Sequence, residues 1–240
     1  LVDGKSLLRL AYERVASMVP AENILICCGA AYVDVVARQL PEIPLENLLG
    51  EPMGRDSLNA VAWPAAVLER RDPGAVVAVT TADQIITPVE AFTEALEEAF
   101  RIAEADDKAL VTFGVVPDSP HTGYGYLKRG EALAGFPDAS EIVEFKEKPS
   151  VEVAEQYVAS GNYWWNSGMF VWRAATVLEQ LRLLLPETYA SVVELAEHPE
   201  RLEDIYPKLH KTSVDYAIME PVSQGKGDAH VVAVPLTIEW

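Results

Sequence analysis

The sequence has 240 residues, of which 50% are hydrophobic and 23% are charged. This composition excludes a disordered or collagen-like chain, because such chains cannot bury enough apolar surface to offset the entropy lost on ordering. Nineteen Lys and Arg against 37 Asp and Glu give a formal net charge of -18. That charge repels nucleic-acid phosphates and anionic lipid, so we expect no nucleic-acid and no membrane partner, and an anionic substrate would need a metal ion or a local cluster of cations.

The sequence has no apolar run near the ~20 residues that cross a bilayer and no secretion-signal pattern at its start, so we expect a cytoplasmic location. Its two cysteines, Cys27 and Cys28, are adjacent on a predicted strand. Their side chains should point to opposite faces of that strand and remain unpaired. The four histidines show no metal-ligand spacing, so local sequence predicts no transition-metal site.

The first half of the chain alternates helical and extended patterns. Apolar residues spaced three or four apart predict a helix over 6–19, and a short apolar run predicts a buried parallel strand over 24–28. A helix over 32–39, an extended stretch over 47–50, a helix over 56–71 and a strand over 75–80 should follow. Asp56 is the expected N-cap of the third helix, and Pro64 should kink or break it. The clearest helical pattern covers 88–105.

After a buried strand over 110–116, short extended pieces are predicted over 124–128, 142–145, 163–172 and 230–236, interleaved with helices over 151–159, 174–185 and 213–220. No linker separates the halves. We therefore expect one α/β domain over 1–240, in which the second half adds strands and helices over the carboxyl ends of the first. Such a domain normally opens with a strand, whereas this chain opens with a helix.

TADQII, at 81–86, follows the predicted strand over 75–80 and sets Asp83 at a strand's carboxyl end. Open α/β sheets bind their ligands at that edge. A carboxylate there is a hard oxygen ligand, suited to Mg²⁺ that carries a polyphosphate. An aspartate that caps a helix or turn is an equally good interpretation of this segment alone.

FKEKP, at 145–149, sets Glu147 and Lys148 side by side after another strand. Glu147 can accept hydrogen bonds from sugar hydroxyls and Lys148 can contact a phosphate, although a solvated charge pair is the commoner arrangement. TGYGYL, at 122–127, and WNSGMFVWR, at 165–173, combine glycines and aromatic residues around Gly125 and Asn166. Glycine permits a ligand to approach the backbone, but core packing explains either segment alone.

LGEPMGRDS, at 49–57, is predicted to be an extended loop before a helix. Glu51 could pair with the donor edge of a purine, and Arg55 with a phosphate or an acid. This segment by itself is a weak signal.

Together, GEPMGRDS, TADQII, TGYGYL, FKEKP, WNSGMFVWR and SVDYAIME occur in an order that resembles the sugar-phosphate nucleotidyltransferases. The resemblance covers the chain from Leu1 to Trp240. It implies a Rossmann-like, mostly parallel sheet flanked by helices, of the nucleotide-diphospho-sugar transferase type. It further implies transfer of GMP from GTP to mannose 1-phosphate, which gives GDP-mannose and pyrophosphate.

The resemblance also implies site residues. Asp83 would be the metal ligand for Mg²⁺, and Asp83 and Lys148 would be the catalytic residues. The nucleotide would be bound by Glu51, Pro52, Arg55, Ser57 and Asp83. The sugar would be bound by Gly125, Glu147 and Asn166. A homodimer is compatible with the resemblance, and the sequence itself does not set the oligomeric state.

The chain departs from the family pattern in five ways. Thr81 stands where the family has proline, Gln84 where it has histidine, and Asp56-Ser57 where it has Asn-Thr. The glycine-rich signature is expected upstream of Leu1, as part of the central strand, and a second metal-binding aspartate beyond Trp240. A protein made as 1–240 alone should therefore be inactive and poorly folded.

Two other functions remain open at this stage. Another sugar-1-phosphate nucleotidyltransferase, acting on glucose or transferring a uridylyl or thymidylyl group, fits the motifs nearly as well. A non-catalytic, sugar-nucleotide-binding regulatory subunit fits a chain without the glycine-rich loop.

Overall fold

The computed structural model describes residue 2 and residues 4–239 of the chain. The helices of this part are α1 (Leu7–Val15), α2 (Val33–Gln39), α3 (Asp56–Arg71), α4 (Val89–Ala105), α5 (Val151–Ser160), α6 (Ala174–Leu184), α7 (Pro186–Glu197), α8 (Leu202–Ile205) and α9 (Glu220–Ser223). The strands are β1 (Ile26–Gly29), β2 (Leu48–Glu51), β3 (Val76–Val79), β4 (Ala109–Val115), β5 (Tyr126–Leu133), β6 (Phe136–Lys146), β7 (Tyr163–Arg173) and β8 (His230–Pro235).

The strands form two sheets. β1 and β2 pair in parallel, and the other strands form a six-stranded sheet in the order β3-β7-β4-β8-β6-β5. Four of these six strands, β3, β4, β5 and β8, run in the same direction. β6 and β7 run the opposite way, so most neighbouring strands pair antiparallel.

The expected position of the second half of the chain is wrong in one respect. Its strands do not lie over the carboxyl ends of the first-half strands but enter the same sheet, and β7 lies between β3 and β4. This position explains the composition of β7. A strand with neighbours on both sides and helices over its faces buries nearly every side chain, and ten of the eleven residues in 163–173 are apolar, small or uncharged.

Three strands have a lateral edge without a partner in the described part of the chain, namely β2, which pairs only with β1, and the two strands β1 and β3. β1 pairs only with β2, and β3 only with β7. Every residue of β1 and β3 is half-buried, although the strands read ICCG and VVAV. Cys27 on β1 and Val77 and Val79 on β3 pack against the same hydrophobic cluster, so the two strands lie over one common layer of the core.

Two large clusters of the core lie on the two faces of the six-stranded sheet, because alternate residues of a strand point to opposite faces, and a smaller third cluster packs α2 against β2. One cluster joins α3, α6 and α7 to Trp172, Phe170 and Leu110, with the Phe170 and Trp172 rings stacked at 5.0 Å between centroids. The other joins α4 to Val111, Phe113 and Val171.

Most predicted elements are present, with shifted ends. α3 spans the predicted residues and continues through Pro64 without a break. Asp56 is not its N-cap: Arg55 holds that position, and Asp56 has a positive φ of 58°. α1 is shorter than predicted, ending at Val15, and Ser6 caps it by accepting a hydrogen bond from the Arg9 backbone.

The region after α6 differs most from the prediction. α7 and α8 were not predicted, and the helix expected over 213–220 is a π-helical turn, Asp215–Met219, followed by α9. Cys27 and Cys28 are free thiols, as predicted. Burial raises the pKa of the Cys27 thiol, in agreement with a structural residue.

No helix in the described residues is long and apolar enough to cross a membrane.

Gly114 on β4 provides a test of the packing between β4 and the Trp164 ring of β7. A Cβ at this position would lie 2.8 Å from Cδ2 of the Trp164 ring, and that ring is buried. We expect Gly114→Ala to lower the free energy of unfolding by about 1–3 kcal/mol, because the ring must shift within a packed core. Denaturant unfolding measures the change. Gly54→Ala, where the new Cβ meets nothing within 4 Å, is the control and should change stability by less than about 0.5 kcal/mol.

Candidate functional site

The pairing of β5 brings three of the predicted site residues together. Tyr126, the first residue of β5, pairs with Lys146 on β6 and with Trp165 on β7. The residues that continue past these pairs are Gly125, Glu147 and Asn166. The Asn166 backbone N–H donates to the Gly125 carbonyl at 2.8 Å, and a Cβ on Gly125 would lie 2.6 Å from Glu147 Oε2. Position 125 therefore has no room for a side chain while Glu147 keeps its place.

Glu147 and Lys148 form an ion pair in which only the lysine reaches far into solvent. Lys148 Nζ lies 3.0 Å from Glu147 Oε1, and the exposed fractions of the two side chains are 57% and 8%. Glu147 raises the pKa of Lys148, which therefore keeps its charge. The Lys148 backbone has a φ of +44°, in the left-handed region that favours glycine. Such conformations cost of order 1–3 kcal/mol and concentrate at functional sites.

The buried side chain of Asn166 is held by several polar groups. Its Nδ2 donates to Asp215 Oδ1 at 3.0 Å, and its Oδ1 lies 2.9 Å from Thr112 Oγ1 and 3.3 Å from the Gly168 backbone nitrogen. The Thr112 hydroxyl also lies 3.0 Å from the Met169 carbonyl. The amide of Asn166 is thus fixed before any ligand arrives.

Asp215 was not among the predicted site residues. It begins the π-helical turn, a rare element that often marks a functional site. Burial and the neighbouring Glu147 raise the pKa of Asp215 to about 6. The motif SVDYAIME contributed to the family resemblance, but nothing in its spacing indicated that this aspartate faces Asn166, 49 residues earlier.

The predicted nucleotide-binding loop contacts a later part of the chain. Glu51, at the end of β2, accepts a hydrogen bond from the hydroxyl of the buried Tyr206. Ser57, in the first turn of α3, accepts one from the Val214 backbone at 3.1 Å. Pro52 and Arg55, which lie between these two residues in the sequence, are half-buried. The loop therefore rests on the segment 206–214, which ends one residue before Asp215.

Asp83 lies on an exposed turn after β3. The described residues contain no cluster of three or more His, Cys, Asp or Glu side chains that could hold a metal ion by themselves. A single exposed carboxylate still fits Mg²⁺, which is usually held by one or two carboxylates together with substrate phosphates and water.

The turn that carries Asp83 is fastened on two sides. The buried Arg14 donates from Nη2 to the Thr81 carbonyl at 3.0 Å and from Nη1 to the Gln84 carbonyl at 3.1 Å, so it spans the turn. Gln84 Nε2 donates to the Ser167 carbonyl at 3.4 Å, next to Asn166. Asp83 is thus tied to the segment that carries the predicted sugar-binding asparagine.

The arrangement combines acceptors, a cation and a rigid donor at one edge of the sheet. Glu147 and Asp215 supply carboxylates, Lys148 supplies an exposed ammonium group, and Asn166 supplies an oriented amide. Hydroxyl groups of a polar ligand and an adjacent phosphate match this set. Sequence reasoning missed Asp215, Thr112, Tyr206 and Arg14, since each acts through a contact between distant parts of the chain.

The comparisons define the class of protein. The family model described as Nucleotidyl transferase matches residues 1–224, so the chain belongs to the nucleotidyl transferase family. Mannose-1-phosphate guanylyltransferase of Escherichia coli K12 is 39% identical over 235 residues, which is 92% of this chain and 48% of that protein. RfbM, a mannose-1-phosphate guanylyltransferase of Salmonella typhimurium, is 37% identical over 251 residues, which is 100% of this chain and 50% of that protein.

The chain thus spans about half the length of the curated relatives it matches. Among solved structures, a Thermus thermophilus protein described as a mannose-1-phosphate geranyltransferase matches all of this chain and 67% of its own, with a TM-score of 0.83 and 32% identity. UDP-glucose pyrophosphorylase of Acinetobacter baumannii, at 14% identity and a TM-score of 0.53, shares the fold. The predicted family and α/β fold class are confirmed, whereas the six-stranded sheet is mixed rather than mostly parallel, because β6 and β7 run against the other four strands.

Arg14 allows the anchoring of the Asp83 turn to be tested. We expect Arg14→Lys to lower the free energy of unfolding by about 1–3 kcal/mol, because one ammonium group cannot serve both carbonyls and one is left buried without a donor. Denaturant unfolding measures this loss. Arg70→Lys is the matched control: that side chain is exposed, its nearest acid oxygen lies 3.9 Å away, and no more than about 0.5 kcal/mol should be lost. Equal effects of the two substitutions would contradict the anchoring role.

Proposed function

We propose that this chain transfers GMP from GTP to mannose 1-phosphate and so forms GDP-mannose and pyrophosphate. The observation that carries the proposal is the convergence of Gly125, Glu147 and Asn166 from three segments in a chain related over 92% of its length to a mannose-1-phosphate guanylyltransferase.

In this reaction a phosphate oxygen of mannose 1-phosphate attacks the α-phosphorus of GTP. A new P–O bond forms, the α–β phosphoanhydride bond breaks, and pyrophosphate leaves with the electron pair. The attacking group is already an anion, so the protein needs to align the reactants and offset charge rather than supply a general base. Bound Mg²⁺ would offset the charge of the triphosphate.

The residues of this chain divide these tasks. Glu147 and Asn166 would hold hydroxyl groups of the sugar, and Lys148 would lie against its phosphate. Glu51, kept in place by Tyr206, would accept hydrogen bonds from the guanine edge, and Pro52, Arg55 and Ser57 would line the same pocket. Asp83 would hold the metal ion that travels with the triphosphate.

A substrate panel tests the function directly. The full-length gene product is assayed with GTP, UTP or dTTP, each paired with mannose 1-phosphate or glucose 1-phosphate, and the sugar nucleotide formed is measured. We expect the highest kcat/KM for GTP with mannose 1-phosphate. A preference for UTP or dTTP would assign the protein to another nucleotidyltransferase activity, and binding of GDP-mannose without turnover would support a regulatory role.

Asp83→Asn tests the metal site. The substitution removes the charge of an exposed side chain, so we expect most turnover to be lost while the fold remains intact. Steady-state kinetics in magnesium buffer and an unfolding curve measure the two effects. Asp72→Asn, at the opposite end of β3, should leave both unchanged. If the activity of the Asp83 variant stayed within a few-fold of wild type, Asp83 would not be a metal ligand.

Glu147→Gln tests the sugar pocket. A hydrogen bond to a charged group contributes ~1.5–3 kcal/mol, so kcat/KM for mannose 1-phosphate should fall by about tenfold to a hundredfold while KM for GTP stays nearly constant. Glu144→Gln, on the same segment but paired with Tyr163, is the control. Unchanged kinetics for mannose 1-phosphate, or an equal loss for GTP, would refute the assignment.

A further inference from the structure

The side chain of Asn166 has two orientations of nearly identical shape, which differ by exchange of Oδ1 and Nδ2. In the described structure Nδ2 faces Asp215, and Oδ1 faces Thr112 and the Gly168 backbone N–H. The orientation matters for binding, because it decides whether a ligand meets an N–H donor or a carbonyl acceptor.

Thr112 does not select the orientation. Its hydroxyl has one proton, and it lies 2.9 Å from Asn166 Oδ1 and 3.0 Å from the Met169 carbonyl. If the amide were reversed, Nδ2 could donate to the Thr112 hydroxyl, which would then give its proton to Met169. Thr112 is satisfied in both cases.

Asp215 does select it. Its Oδ1 lies 3.0 Å from the amide, and in the reversed orientation this carboxylate oxygen would face Asn166 Oδ1 with no proton between them. The Gly168 N–H, at 3.3 Å, favours the same orientation more weakly. Because Asp215 is largely buried, solvent does not weaken the repulsion between its carboxylate and Asn166 Oδ1 that disfavours the reversed orientation.

In the selected orientation Asn166 can only donate to a ligand. Its Oδ1 already faces two N–H or O–H groups, and one of the two Nδ2 protons is committed to Asp215. The remaining Nδ2 proton is the group that the side chain offers to a ligand within the described structure. Glu147, by contrast, can only accept.

We propose that Asp215 is a positioning residue that fixes Asn166 as a hydrogen-bond donor, so that the sugar pocket presents one fixed donor beside the fixed acceptor Glu147. A ligand that fits this pair carries an oxygen that accepts next to a hydroxyl that donates, as neighbouring hydroxyl groups of a hexose do. The inference rests on the proposed function, in which Asn166 and Glu147 contact the sugar.

Asp215→Asn removes the stronger of the two selecting contacts while keeping the shape. An asparagine at 215 can either accept from Asn166 or donate to it, so only the weaker contact with the Gly168 N–H still favours the original orientation, and the reversed orientation becomes populated. We expect KM for mannose 1-phosphate to rise about tenfold at pH 8 and KM for GTP to stay within about threefold of wild type. Glu220→Gln is the matched control, because Glu220 follows the same π-helical turn and pairs with Lys146 at 3.4 Å instead. It should change neither KM.

The stability of the Asp215→Asn variant distinguishes a positioning role of Asp215 from a structural one. Burial and Glu147 raise the pKa of Asp215 from 3.8 in the unfolded chain to about 6, so its contribution to stability is full below pH 3.8 and is lost as the pH rises through 6. At pH 8 the ionised carboxylate therefore costs stability, and Asp215→Asn should be at least as stable as wild type. A variant that unfolds more readily and loses affinity for both substrates would indicate a structural residue.

The pH profile gives a second readout. Asp215 is neutral below pH 6, where wild type loses the same selection, so the ratio of KM for mannose 1-phosphate between variant and wild type should fall from about tenfold at pH 8 towards one at pH 5. Glu147 and Lys148, the charged groups that face Asp215, are present in both proteins, and so is the substrate phosphate, which itself titrates near pH 6. Their effects therefore cancel in the ratio.

The outcomes distinguish the inference from the function beneath it. A wild-type protein that forms no GDP-mannose refutes the proposed function. A wild-type protein that forms it, with Asp215→Asn unchanged in KM for mannose 1-phosphate or with a KM ratio independent of pH, refutes the role of Asp215 alone. Calorimetric titration of mannose 1-phosphate into both proteins should show the same tenfold difference without turnover.

Discussion

The candidate site depends on the double pairing of β5. Because Tyr126 pairs with β6 on one side and with β7 on the other, the chain segments that continue past these pairs must converge. Gly125, Glu147 and Asn166 lie there, and the absence of a side chain at 125 lets the Glu147 carboxylate approach the backbone. If β5 paired with only one of the two strands, the acceptor and the donor of the pocket would lie apart.

The segment 206–219 connects this pocket to the loop that follows β2. Tyr206 donates to Glu51, the Val214 backbone donates to Ser57, and Asp215 accepts from Asn166. One continuous stretch of chain therefore supports residues proposed to bind the nucleotide and residues proposed to bind the sugar. Its π-helical turn begins at Asp215, the residue of this segment that contacts Asn166 on β7.

Electrostatics sets a second constraint. The chain carries a net charge of -18, and the pocket adds the buried carboxylates of Glu147 and Asp215. Two anionic substrates would be repelled unless nearby cations offset this charge. Lys148 is the cation that the pocket itself provides, held in a strained backbone conformation beside Glu147, and Mg²⁺ at Asp83 would be the other. Lys148, which already offsets the charge of Glu147, and the metal ion would together lower the repulsion that this acidic pocket exerts on phosphates.

The sequence by itself determined the family, the alternation of helices and strands, and the residues that local motifs carry. Periodicity located α3 and α4, because one-sided burial leaves a pattern of three- and four-residue spacing in the chain. The motif order pointed to Asp83, Glu147 and Asn166, because each stands in a short signature. It did not show that β7 enters the sheet between β3 and β4, since strand order depends on contacts between distant segments.

The tertiary structure alone decided how these residues act together. Arg14 lies in the helical pattern predicted over 6–19, where nothing marks it as a core residue, and only the fold shows it buried and bridging the carbonyl groups of Thr81 and Gln84. Asp215 lies 49 residues from Asn166, so no local pattern could relate the two. The chemistry of an amide depends on its neighbours in space, which is why the sequence left Asn166 able to donate or accept and the folded chain made it a donor.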